Sequence, residues 1–92
     1  MKNRISVRKI KEALSVPLIE IVPSQPQRRG IDFVILCPFH QEKAPSLHIY
    51  SRTNSFFCFG CRKGGDVINF VKFLYNFSFK EAVGWLIEKK GG

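Results

Sequence analysis

The sequence predicts one small α+β domain, with an antiparallel sheet in the middle of the chain and helices toward both ends. Three observations carry that prediction. Ninety-two residues with 45% apolar content suffice for one folded domain and no more. Short β-branched and aromatic runs occupy the centre, whereas apolar residues recur at helical spacing near both termini. The only three cysteines fall with His40 into two pairs, Cys37-Pro38-Phe39-His40 and Cys58-Phe59-Gly60-Cys61, with seventeen residues between the pairs. A chain this short buries roughly 60–65% of its unfolded surface, so a bound metal adds what a small core lacks.

The elements follow in order. Val7, Ile10 and Leu14 share one face and predict a helix from Val7 to Leu14. Pro17 interrupts it, and Leu18 to Val22 reads as a second short helix. Pro23, Ser24 and Pro26 read as loop. Ile31 to Leu36 is apolar and β-branched and predicts a first strand, Leu47 to Tyr50 a second, and Ser55 to Cys58 a third. Ser51 to Asn54 is a polar turn, so the last two strands pair antiparallel. Asp66, after two glycines, caps a helix whose inner face is Val67, Phe70, Val71 and Leu74. Asn76 breaks it. Ser78-Phe79-Lys80-Glu81 is a capping box opening a last helix that buries Phe79, Ala82, Val83 and Leu86, with Trp85 at the edge. Residues 1–29 are expected to form a helical and proline-rich lead, 30–90 the metal-bearing domain, and Gly91-Gly92 a terminus or linker start.

The two pairs read as metal knuckles. Two intervening residues let a tight turn bring both side chains onto one ion, and tetrahedral Zn2+ takes four such ligands. Cys37, His40, Cys58 and Cys61 are therefore the expected ligands of one structural Zn2+. Four protein ligands leave no open position for chemistry. The site ties the first strand to the end of the third, which makes metal binding part of folding. Gly60 is expected to permit the backbone bend that presents Cys61, and Pro38 to stiffen the other turn. Disulfides would leave one cysteine over, cysteines as simple core residues would not need the paired spacing, and an iron–sulfur cluster fits the histidine poorly. His48 lacks the two-residue spacing to any cysteine and reads as a strand residue.

Fifteen Lys and Arg face seven Asp and Glu, a formal charge of +8. An anionic partner follows, with nucleic acid the leading candidate and plain solubility the bland alternative. Single-strand binders combine a basic track with aromatic platforms. Arg28, Arg29, Lys43, Arg52, Arg62 and Lys63 lie in loops or beside the knuckles and are the candidate charges. Alternation puts Leu47 and Ile49 on one strand face and His48 and Tyr50 on the other, so His48, Tyr50 and Phe57 are the candidate platforms. Phe56, Phe59 and Phe70 are expected in the core. No apolar run approaches the roughly 18–20 residues needed to cross a bilayer, and the basic start has no export signal behind it, so a cytoplasmic, membrane-free location is expected. Lys63-Gly64-Gly65-Asp66 lacks the spacing of a phosphate loop, and neither the zinc-deaminase nor the H-E-x-x-H signature is present. No catalytic constellation is expected in these residues.

CPFHQEKAPS followed by FFCFGCRKGGDVINFV resembles the CHC2-type zinc-binding domain of bacterial and phage DNA primases. That family's ligand pairs match Cys37, His40, Cys58 and Cys61. Its E-K-x-P-S run matches Glu42, Lys43, Pro45 and Ser46, and its glycine turn matches Gly64, Gly65 and Asp66. Phe70 and the run from Ser78 to Ala82 match its later helices, so the resemblance covers about Gly30 to Leu86. It implies a zinc-ribbon fold, an antiparallel sheet with zinc at one edge and flanking helices. It implies a module that binds single-stranded DNA template in primer synthesis, beside a primase catalytic domain or a replicative helicase. The divalent metals of catalysis would belong to a catalytic domain absent here, and DNA-directed RNA polymerase activity to the parent primase. Leu47 stands where the family usually has phenylalanine, Phe57 where it often has histidine, and the Pro23–Pro26 loop is unusually proline-rich. The competing reading is a protein-docking zinc ribbon of a transcription or mobile-element protein.

Overall fold

The structure is a computed structural model and describes residues 5–41 and 43–91. Helix α1 (Val7–Leu14) and a 3-10 turn (Leu18–Glu20) lead into strands β1 (Gln27–Arg29), β2 (Asp32–Ile35), β3 (Leu47–Tyr50), β4 (Ser55–Cys58) and β5 (Gly64–Asp66); helices α2 (Val67–Tyr75) and α3 (Phe79–Gly91) follow. The strands form one sheet in chain order, each antiparallel to the next. Such a meander needs only local turns, because every strand pairs with its sequence neighbour.

Two strands escape the sequence pattern. β1 is Gln-Arg-Arg, with no apolar alternation to betray it. As an edge strand it contributes backbone hydrogen bonds rather than buried side chains, and Gly30, at φ 64, closes its hairpin with β2. β5 occupies the Gly64-Gly65-Asp66 stretch expected as a turn. Its glycines let it approach β4: a Cβ on Gly64 would stand 2.9 Å from the Phe56 carbonyl oxygen and 2.7 Å from the Phe57 ring. β2 is one residue shorter at each end than expected, with Ile31 and Leu36 both exposed. The expected second helix contracts to the 3-10 turn, which ends at Ile21 at φ −118 and ψ 0, and a residue before proline, as Val22 is, disfavours helical backbone.

Register separates the two sheet faces. Phe33, Ile49 and Phe56 form one row and Ile35, Leu47 and Cys58 the next, both toward the helices. Val34, His48 and Phe57 form a row on the opposite face, with Tyr50 and Ser55 beside it. The helix-side rows join Val67, Ile68, Phe70 and Val71 of α2 and Ala82, Val83 and Leu86 of α3 in one core. Ala13, Val16 and Leu18 belong to that core too, so the residues before Gly30 pack with those after it.

Local signals set the helix ends. Ser6 Oγ accepts from Lys9 N at 3.3 Å at the start of α1. Asp66 Oδ1 accepts from Asn69 N at 2.9 Å, and Asn76, in the left-handed region, ends α2. At α3, Ser78 N donates to Glu81 Oε1 at 2.8 Å and Glu81 N donates to Ser78 Oγ at 3.1 Å, the reciprocal pair of a capping box. Phe79 departs from expectation. It shares the stripe of Ala82, Val83 and Leu86 but is 42% exposed, because that stripe is covered only from the second turn onward.

The turn between β3 and β4 reaches back to the N-terminal segment. Asn54, at φ 53, accepts from Leu18 N at 2.8 Å through Oδ1. Its Nδ2 donates to Val16 O at 2.8 Å and to Leu14 O at 3.0 Å. One side chain thus satisfies three backbone groups around the break between α1 and the 3-10 turn.

Candidate metal centre

The first knuckle follows β2 and the second closes β4, so both lie at the same end of the sheet. Their ligand atoms, from Cys37, His40, Cys58 and Cys61, all lie within 4.8 Å of one another. Cys37 Sγ is 3.8 Å from Cys61 Sγ, and His40 Nε2 is 3.4 Å from Cys58 Sγ. A tetrahedral ion with Zn–S near 2.3 Å and Zn–N near 2.0–2.1 Å requires ligand edges of about 3.8 Å and about 3.5 Å respectively. The donor set and both edges fit Zn2+. Bound there, the metal would cross-link β2 to β4 with its shell closed by protein.

Neighbouring groups prepare the ligands. His40 Nδ1 lies 3.2 Å from the Gln41 carbonyl oxygen, so Nδ1–H donates there and Nε2 is left to face the cluster. Phe39 N donates to Cys37 Sγ at 3.3 Å, and Ser46 Oγ lies 3.3 Å from Cys58 Sγ. Without metal the thiols differ. Burial pushes Cys37 up to about 12. Burial pushes Cys58 up as well, but hydrogen bonds from Ser46 and the Cys61 backbone, with the contacts to His40 and Cys37, outweigh it and bring that thiol down to about 6. Cys58 is thus a readier thiolate than Cys37, and a coordinated divalent cation would draw a buried thiol to that state.

Gly60 has a different task from the one the sequence suggests. The left-handed residue of the second knuckle is Arg62, at φ 66. A Cβ on Gly60 would stand 2.7 Å from His40 Cε1 and Nε2 and 3.0 Å from Ser46 Oγ. Glycine is needed there to admit the imidazole rather than to bend the chain. Phe39, unremarked in the sequence, fills the other knuckle. Its ring packs on Phe70, Phe73 and Phe56, with centroids 5.3, 5.6 and 6.0 Å away, and so fixes the metal end to α2. An aromatic residue between two ligands was the available signal.

The candidate nucleic-acid contacts divide between faces. His48, Tyr50 and Phe57 share the face away from the helices, all half-buried. Phe59, expected in the core, is 57% exposed and joins them. Its ring meets His48 and Phe57 edge-on, each at 4.9 Å, because Phe59 N still pairs with Ser46 O and alternation past Phe57 returns it to the same face. Val34 is buried on this same face, apart from the main core. Arg29 lies opposite Asp32 on β2, whereas Arg28 points to the other side, its guanidinium 5.2 Å over Phe33. Lys63 also leans toward the helices, 5.7 Å from the Phe73 ring. Arg52 is exposed in the β3–β4 turn, Arg62 in the second knuckle and Lys43 beyond the first. Glu42, part of the motif next to Lys43, lies outside the described residues. Among the described residues no helix is long and apolar enough to cross a membrane.

Comparison with known proteins agrees with this geometry. The CHC2 zinc-finger family matches residues 3–91. A DNA primase of Mycobacterium tuberculosis is 42% identical over 95 residues, covering 99% of this chain and 15% of its own length. A DNA primase of Borreliella burgdorferi is 37% identical over 91 residues, covering 99% of this chain and 16% of its own. The crystal structure of the Aquifex aeolicus primase, comprising zinc-binding and RNA polymerase domains, superposes with a TM-score of 0.83 at 27% identity, over 95% of this chain and 22% of that one. The chain therefore spans about 15% of the length of the curated relatives it matches.

Proposed function

The chain belongs to the CHC2 zinc-finger family, and we propose that it is the template-binding module of a DNA primase, holding single-stranded DNA on its open sheet face. The observation that carries this reading is the row of His48, Tyr50, Phe57 and Phe59 on the face away from the helices, running from the metal end toward the β3–β4 turn in a chain of charge +8. Exposed Phe59 and the half-buried rings beside it supply stacking surfaces for unpaired bases, and Arg29, Lys43, Arg52 and Arg62 supply charge for the phosphates. A duplex keeps its bases stacked on one another and offers these rings nothing, so the reading favours single strands.

The zinc takes no part in chemistry under this proposal. It holds the knuckles, and so Phe59 and the start of β3, in the geometry that presents the rings. Primer synthesis then requires a catalytic domain acting beside this one, with that domain or a replicative helicase as the protein partner. The DNA primase identity of the relatives supports this assignment of context.

Fluorescence anisotropy with labelled single-stranded and duplex oligonucleotides, at two salt concentrations, tests the proposal. The single strand is expected to bind more tightly, with affinity falling as salt rises. Absence of single-strand binding at low salt would overturn it.

A further inference from the structure

We infer that one unpaired nucleobase inserts between the imidazole of His48 and the phenol ring of Tyr50, making a base slot on the open face. This rests on the single-strand reading above and names the ligand subsite within it. His48 and Tyr50 are separated by one residue on β3, so their side chains leave the same face about 6.7 Å apart along the strand. Their rings stand nearly parallel, at 22°, with centroids 6.3 Å apart. Two van der Waals layers of carbon need about 7 Å. A planar base therefore enters only when the rings part, since the 6.3 Å between centroids is the upper limit of the gap between their planes.

The slot has one fixed wall and one adjustable wall. Phe59 N donates to Ser46 O at 3.0 Å, which sets Phe59 on the side of His48 away from Tyr50. There its ring braces His48 at 4.9 Å and 86° and is itself held by Phe57. Tyr50 has the small Ser55 as its cross-strand partner, which leaves it room to shift. The hydroxyls of Ser55 and Thr53, 2.6 Å apart, lie at that end of the slot and offer hydrogen bonds to a base edge. Arg52, exposed two residues beyond Tyr50, is suited to the adjoining phosphate.

The test scans a short single-stranded oligonucleotide with an abasic site at each position in turn. The slot predicts one position at which base removal weakens wild-type binding roughly 5- to 150-fold, with smaller effects elsewhere. A 2-aminopurine at that position should be quenched on binding. His48→Ala and Tyr50→Ala should each abolish the dependence on that base, and the double variant should lose no more than the weaker-binding single variant. Tyr50→Phe should bind as the wild type does. Zinc content, measured for every variant, separates loss of the slot from loss of the fold, and the wild-type abasic scan needs no variant. Additive losses assigned to two different nucleotides would overturn the slot in favour of independent platforms while leaving single-strand binding intact. Failure of the wild type to bind any single strand would overturn both.

Discussion

The two ends of the sheet are secured by opposite means. At one end Cys37, His40, Cys58 and Cys61 converge within 4.8 Å and cross-link β2 to β4 through a metal. At the other, one neutral side chain, Asn54, joins the β3–β4 turn to the segment between α1 and the 3-10 turn by three hydrogen bonds of 2.8–3.0 Å. The first device contributes strongly only when an ion is present, and the second is always present and weaker. The domain is thereby divided into a metal-dependent end where the aromatic face begins at Phe59 and a metal-independent end that carries the N-terminal helix.

The largest break in that comparison is removal of a ligand. Cys58 ends β4, is fully buried and lies 3.4 Å from His40 Nε2 and 3.3 Å from Ser46 Oγ. Cys58→Ala is expected to abolish stoichiometric zinc and the cooperative thermal transition, because structural zinc binding supplies on the order of 10–16 kcal/mol in small domains. Zinc analysis and circular-dichroism melting, with and without chelator, measure both. Retention of the wild-type melting curve without metal would show that the core alone holds the sheet.

Asn54→Gly probes the opposite end. Glycine keeps the left-handed backbone at φ 53 and removes all three hydrogen bonds. Stability should fall by about 2–3 kcal/mol, or about 10–20 °C in melting temperature for a domain of this size, with zinc affinity unchanged. A parallel loss of zinc affinity would show that the two ends are coupled through the sheet.

The difference between the ends also explains what the sequence discloses. The metal end is legible because its ligands come in pairs whose internal spacing is local, and because thiolate and imidazole chemistry leaves few other readings. Strands β3 and β4 are legible from alternation, and α2 and α3 from Asp66, Ser78 and Glu81. Asn54 is not. Its partners lie 36 to 40 residues away, and a single asparagine in Ser-Arg-Thr-Asn satisfies every rule for an ordinary turn. β1 and β5 are hidden for a related reason: their contribution is backbone pairing, which leaves no apolar signature in Gln-Arg-Arg or Gly-Gly-Asp. Phe59 is misread because composition alone assigns a phenylalanine to the core, whereas alternation past Phe57 puts it on the open face beside His48.

Gly60→Ala sharpens the account of the metal end. The new methyl would press on His40 Cε1 and Nε2 at 2.7 Å, and the imidazole must move for it to fit. Zinc affinity should fall about 10- to 100-fold, the range seen when a group that orients a ligand is lost. Competition with a chromophoric chelator reads this directly. An unchanged affinity would return Gly60 to the role of a simple turn residue.

Ser46→Ala is expected to have the smallest effect, and it distinguishes orientation of a ligand from tuning of its charge. Ser46 Oγ lies 3.3 Å from Cys58 Sγ and lowers that thiol's tendency to hold a proton. It also stands beside Gly60, so it is part of the packing that seats His40. Removing the hydroxyl leaves the four ligands and their spacing intact and takes away one hydrogen bond to a sulfur, a change of about 1 kcal/mol or less and a loss of a few-fold in zinc affinity. If Ser46 acts by stabilising the thiolate, the loss should shrink as pH rises and Cys58 ionises without help. If it acts only by packing, the loss should be the same at every pH. Zinc competition at two pH values separates these outcomes.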